Sequence, residues 1–209
     1  MYDQPTLEIM PSVRLCRVHL LRHAPTEQGS TRVCRGHQDV PLSAEGRRRS
    51  LALAHWYLHK FGSPPLIYSS DLSRCRFLAE QLGTPTLLPG LREQDMGRWE
   101  GQSWEALTRA DPVAVDAWWQ DWVDSRPPGG ESWREMYRRV VATWEAQPPA
   151  PQVVVVGHAG TVRALLCHWF GMGPEQGLRW APPQASFTQV LLADAGPVLE
   201  AFGVDQFPG

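Results

Sequence analysis

Short continuous apolar runs alternate along this chain with longer segments whose apolar positions recur every three to four residues. The runs cover 15–21, 66–70, 84–88 and 153–156, and the last, Val153-Val154-Val155-Val156, is wholly β-branched. Runs of that length without polar alternation predict strands covered on both faces, as in a parallel sheet. Pro85 within the third run and Pro89 just after it place that run at a sheet edge. Helical periodicity covers 43–61, where Ser43 is the expected N-cap and Leu51, Leu53, Ala54, Tyr57 and Leu58 form the apolar stripe. A second helix is predicted over 72–82, with Asp71 as its cap and Gly83 as its stop, and a third over 160–170. Segments 186–192 and 198–202 read as a closing hairpin.

The stretch 102–147 differs in texture. It holds six of the ten tryptophans, and two helical patterns are separated by Arg126-Pro127-Pro128-Gly129-Gly130. Strands alternating with helices predict an α/β fold, a three-layer α/β/α sandwich with a mostly parallel central sheet. The tryptophan-rich stretch enters it as a helical insertion over the sheet's carboxyl edge. The expected domain plan is a flexible extension over 1–12 and a single domain over 13–209, with 102–147 as insertion or lid.

Composition narrows the classes without choosing among them. A chain of 209 residues with 43% hydrophobic and 20% charged residues is ordinary for one globular domain. A formal charge of −2 gives no basic field for nucleic acid, and Arg47-Arg48-Arg49 reads as a solvated helix face. No apolar stretch reaches the ~20 residues of a membrane span. Met1 to Ser12 lacks the basic-then-apolar pattern of a signal peptide, and Cys16, Cys34, Cys75 and Cys167 show no metal or disulfide spacing. A soluble, reduced, cytoplasmic protein is expected.

The chemistry gathers at strand ends. Arg22-His23 follows the first run and Gly157-His158-Ala159-Gly160 follows the fourth; in open α/β sheets ligands bind outside the carboxyl ends of strands. Taken singly, a histidine after a strand is usually only a polar loop residue. Arg22, however, offers the planar fork suited to a phosphate oxygen. Arg74 lies in the first turn of a predicted helix, an end that favours anions. Glu93, after the third strand, is placed near a phosphate that would repel it, which suits a proton carrier better than a binding group. Its alternative is an ion pair with a neighbouring arginine. His55 and His59 share one helix face but have no third ligand nearby, so they read as surface residues.

In order, Leu21-Arg22-His23-Ala24-Pro25-Thr26, Arg35-Gly36-His37-Gln38-Asp39-Val40-Pro41-Leu42-Ser43-Ala44-Glu45-Gly46, Ser70-Asp71-Leu72-Ser73-Arg74, Leu91-Arg92-Glu93, Gly97-Arg98-Trp99-Glu100-Gly101 and Val156-Gly157-His158-Ala159-Gly160 resemble the histidine phosphatase superfamily, phosphoglycerate-mutase-like branch. The resemblance covers roughly residues 14–193. It implies that His23 is a nucleophile forming phosphohistidine, that Arg22, Arg74 and His158 surround the phosphoryl group, and that Glu93 serves as general acid and base. Thr26, Arg35, Gly36 and Ala159 complete the implied substrate-binding set. No metal or cofactor is implied, because two arginines and a histidine cation would supply the countercharge. Two departures stand out: Ala24-Pro25 replaces the usual Gly and acidic residue, and Gly29 stands where many members carry a phosphate-contacting Asn. Arg35, or Arg32 from the same loop, is the expected substitute for that contact.

Within the family, the length favours a phosphatase over a mutase. The segment Trp118-Trp119-Gln120-Asp121-Trp122, followed by Pro128-Gly129-Gly130-Glu131-Ser132-Trp133, is similar to α-ribazole phosphatases of cobalamin synthesis, as is the tail from Gly171 to Phe187. The resemblance implies α-ribazole 5'-phosphate as substrate, against a broad-specificity phosphatase, a phosphoglycerate mutase or an inactive docking module. The expected partner is a small phosphorylated metabolite, with no nucleic acid and no membrane. A homodimer stays open, through an apolar edge near 153–171 or the tryptophan-rich insertion.

Overall fold

The computed structural model describes residues 15–27 and 33–207. A six-stranded sheet forms its centre: β1 (Cys16–Arg22), β2 (Ile67–Ser69), β3 (Thr86–Leu87), β4 (Gln152–Gly157), β5 (Ser186–Ala193) and β6 (Gly196–Val204). The spatial order is β3-β2-β4-β1-β5-β6. The first four strands pair in parallel, and only β5 runs against its neighbours. The mostly parallel three-layer sandwich is therefore present, with the predicted hairpin as its far edge. β3 is short and exposed, as its flanking prolines require.

Side-chain alternation along the buried strands separates two cores. Val154 and Val156 face α1 (Ala44–Phe61) and α2 (Ser73–Leu82), together with Leu21, Leu53 and Leu78. Val153 and Val155 face α5 (Trp133–Glu145) and α6 (Ala159–Trp169), together with Leu20, Met136 and Leu165. Each such valine contributes roughly 1.5–3 kcal/mol by leaving water. Of the segment 153–171, β4 is the covered central strand and α6 is largely buried, so its partly exposed apolar residues are Trp169 and Phe170 at the end.

The stretch 102–147 divides. α3 (Trp104–Ala110) and α4 (Pro112–Gln120) form a small cap around Met96, Trp99, Leu107, Val115 and Trp118. Asp111 accepts from the Ala114 N–H at 2.9 Å and Pro112 begins α4, which breaks the first helical pattern in two. α5, in contrast, belongs to the sandwich layer: Met136 and Val140 are fully buried against α6.

Two caps show how loops reach the sheet edge. Ser43 caps α1 as expected, its hydroxyl accepting from Gly46 N at 3.0 Å. Gly46 is required there, since a Cβ would lie 1.8 Å from the Pro25 carbonyl. The α2 cap differs from expectation. Asp71 is engaged with Arg92 at 2.7 Å, and the Ser73 N–H is instead capped at 2.8 Å by Asp39, from the loop before α1.

Candidate active site

Register brings the two histidines together. β1 and β4 are parallel with Arg22 opposite Gly157, so His23 and His158 emerge side by side past the ends of neighbouring strands. Their ring centroids lie 5.1 Å apart. The His23 backbone N–H donates to the Gly157 carbonyl at 3.0 Å, which continues the ladder one step beyond the strands.

His23 is buried, and its Nδ1 lies 2.7 Å from the Ala24 carbonyl. A carbonyl can only accept, so Nδ1 carries the proton and Nε2 is left with its lone pair. Burial, then the nearby Arg74 and Arg22 charges, push the His23 pKa down to about 3. His158 is fully buried, with Nε2 2.9 Å from the Ser70 hydroxyl. Burial, Arg74, His23 and Arg22 hold its pKa well below the ordinary imidazole value. Against the expected histidine cation, burial and the two arginine charges favour the neutral form of both imidazoles.

The arginines are fastened by carbonyls. Arg22 donates to Pro182 O at 2.6 Å, while its buried Nε has no partner among the described residues. Arg74, only 3% exposed, donates to Gln38 O at 2.8 Å and Gly36 O at 2.6 Å. Arg35 donates to the Thr26 hydroxyl and to Glu27 O. Glu93 is held by backbone donors, Gln94 N at 3.0 Å and Gly160 N at 3.1 Å, the latter at the start of α6. Of the arginines that could pair with Glu93, its sequence neighbour Arg92 turns to Asp71 instead.

Arg22, His23, Thr26, Arg35, Arg74, Glu93 and His158 all line one cavity of about 590 Å³. Gly36 and Ala159 stand behind its wall: Gly36 offers its carbonyl to Arg74, and Ala159 opens α6. Gly29 and Arg32 lie outside the described residues. The same cavity is lined by Trp104, Trp118, Trp119, Trp122 and Trp133, with Leu178 and Arg163. Such a site can hold a dianion at its floor and an apolar or planar group at its rim.

Residues 18–205 match the model of the histidine phosphatase superfamily, branch 1. The chain belongs to that superfamily. It is a phosphatase enzyme. It is 28% identical over 167 residues to the adenosylcobalamin/alpha-ribazole phosphatase of Escherichia coli, covering 76% of this chain and 81% of that one. It is 32% identical over 177 residues to the glucosyl-3-phosphoglycerate phosphatase of Mycolicibacterium vanbaalenii, covering 77% and 76%. The crystal structure of the alpha-ribazole phosphatase from Shigella flexneri superposes with a TM-score of 0.81 at 22% identity over 92% of this chain and 98% of that one, a likeness of fold.

The structure also shows how this histidine phosphatase accommodates its Ala24-Pro25. Ala24 is fully buried beside Leu42 and Ala185, and the Pro25 carbonyl accepts from Ser43 N at 3.1 Å. Several site residues carried no sequence signal. Arg139 donates to the carbonyls of Gly90, Arg92 and Glu93 and pairs with Glu131, fixing the turn that presents Glu93. Arg163, one turn into α6, lines the cavity and donates to Trp180 O at 2.8 Å. Ala185 holds a left-handed backbone, φ 52°, and its N–H donates to the His23 carbonyl at 3.1 Å. For a non-glycine residue that conformation costs of order 1–2 kcal/mol. His55 and His59 are exposed on α1, and among the described residues no group of three His, Cys, Asp or Glu could hold a metal ion. Among them too, no helix is long and apolar enough to cross a membrane.

Proposed function

We propose that this phosphatase is a metal-independent phosphomonoesterase that works through a phosphohistidine on His23, with α-ribazole 5'-phosphate as substrate. The observation that carries the chemistry is the His23 tautomer: Nδ1–H is committed to Ala24 O, so the Nε2 lone pair is available. Nε2 attacks phosphorus and the P–O ester bond breaks, with its electron pair going to the leaving oxygen. Glu93, in its carboxylic acid form, gives that oxygen a proton. Water then attacks the phosphorus, Glu93 takes the proton back, and the P–N bond electrons return to Nε2.

Arg22 and Arg74 supply fixed positive charge to the equatorial oxygens. His158 starts neutral and donates a hydrogen bond; a bound phosphoryl dianion offsets the arginine charges that depress its pKa. Thr26 and Arg35 extend the same floor. The non-enzymatic alternative, a docking module, would have lost members of this set, and His23, Arg22, Arg74, Glu93 and His158 all face one cavity.

The substrate reading rests on the tryptophans that line the same cavity, which suit a flat heteroaromatic leaving group. A second reading, a phosphatase for a glycerate-type phosphoester, has Arg163 in its favour as an extra cation lining the cavity. Steady-state kcat/KM on α-ribazole 5'-phosphate, 3-phosphoglycerate and sugar phosphates decides between them. The proposal expects α-ribazole phosphate to lead by up to about tenfold, since an aromatic contact contributes about 1.4 kcal/mol at the upper end. Equal values, or a lead for 3-phosphoglycerate, would remove it. Four free cysteines, three of them buried, support a reducing, cytoplasmic setting.

A further inference from the structure

Glu100 caps a short 3-10 turn (Gly97–Trp99) and lies outside the cavity lining. Its carboxylate collects three backbone donors: Oε1 accepts from His37 N at 2.6 Å and Met96 N at 3.1 Å, and Oε2 accepts from Gln38 N. Two of these donors belong to the bend at 36–38. The other side of that bend presents the carbonyls that hold Arg74, Gly36 O at 2.6 Å and Gln38 O at 2.8 Å. One carboxylate and one guanidinium therefore grip opposite edges of the same three residues.

The bend has little freedom to shift. A Cβ on Gly36 would lie 1.9 Å from Gln94 O and 2.6 Å from Glu100 Oε1, so the backbone is packed against both. Asp39, the next residue after the bend, is tied to Ser73 N at 2.8 Å and Ser73 Oγ at 2.7 Å, which locks the loop to the start of α2 beside Arg74. Holding a guanidinium by carbonyls fixes its direction while leaving its full charge for an anion. A carboxylate in direct contact would neutralise it.

We propose that Glu100 is a positioning residue for Arg74: by clamping the 36–38 bend it sets the angle at which the Arg74 guanidinium meets a phosphoryl group. This rests on Arg74 as a phosphoryl contact. Glu100 never touches the substrate. Its influence passes through two backbone N–H groups, two carbonyls and one arginine.

The test is a double-mutant cycle on the full chain, with orthovanadate binding read by calorimetry for the wild type, Glu100→Gln, Arg74→Lys and the double variant. In Glu100→Gln one acceptor becomes an amide N–H2 facing a backbone donor, which releases the bend. Vanadate Kd is expected to rise about tenfold in the wild-type background and less than about twofold in Arg74→Lys, with Tm lowered equally in both. The same factor in both backgrounds, or no change in Kd, would overturn the proposal. If Arg74→Lys alone leaves Kd unchanged, the phosphoryl role of Arg74 fails first and this inference goes with it. Glu100→Asp, which keeps both acceptors but withdraws them by one methylene, decides the matter by the same comparison should Glu100→Gln not fold.

Discussion

At the floor of the cavity each cation is tied to backbone carbonyls, Arg22 to Pro182 and Arg74 to Gly36 and Gln38, whereas the rim is held by ring packing. Trp104 stacks on Trp118 at 5.6 Å and Trp119 meets Trp118 edge-on at 4.7 Å, yet Trp119 is 52% exposed. The floor is built from strand ends and helix starts, where backbone groups point outward in fixed directions. The rim comes from α3 and α4, which carry a small core of their own. Directional bonds suit a group whose charge distribution changes during reaction. Ring surfaces suit a leaving group that needs only to be held.

The largest expected effect lies at the floor. Glu93→Gln keeps the shape but removes the transferable proton, and kcat on alkyl phosphate esters should fall about 10³-fold. The loss should be much smaller for formation of the phosphoenzyme from p-nitrophenyl phosphate, whose leaving group departs without protonation. Equal losses for both esters in rapid-mixing kinetics would mean that Glu93 is not the acid. A smaller effect is expected at the rim. Trp119→Ala should raise KM for an aromatic leaving group about three- to tenfold and leave glycerol phosphate untouched. A matching rise for glycerol phosphate would place Trp119 in the fold rather than in recognition.

The smallest effect concerns stability and sharpens the contrast, because the floor buries neutral histidines and the rim has none. Burial, with Arg74, lowers the pKa of His23 to about 3, and His158 is lowered as well; His19, buried within β1 and outside the cavity lining, is lowered to about 4 by burial with Arg17. Unfolded, each returns towards 6.5. As pH falls through that value the unfolded chain takes up protons that the folded chain excludes, so stability is lost from about pH 6.5 downward. Urea midpoints should fall between pH 7 and 5, above the range where carboxylates titrate. A flat profile there would contradict neutral buried histidines.

Much of this was legible in the sequence, for reasons that differ by residue. The uniform run Val153 to Val156 announced a doubly covered strand, and the position of His158 just past it needed only the rule that ligands meet strand ends. The rim was less legible. The periodicity of 102–147 shows helices but not that Asp111-Pro112 splits one of them or that α5 returns to the sandwich. Asp71 looked like a cap because of its place before a helix, but the ion pair with Arg92 competes for its carboxylate, and Asp39 supplies the cap from 34 residues away. Arg139 was silent for the same reason, and Glu100, though it stands in the Gly97-to-Gly101 motif, gave no sign of its role. Each acts on backbone groups distant in sequence, and no local pattern records that.

The central claim is that His23 carries the phosphoryl group. Rapid quench with 32P-labelled p-nitrophenyl phosphate, followed by peptide mapping under alkaline conditions, tests it directly. The account predicts an acid-labile, base-stable label on the His23 imidazole, formed before steady turnover and absent from His23→Ala, whose kcat falls by more than about 10³-fold. Label on another residue, or appreciable turnover by His23→Ala, would contradict it.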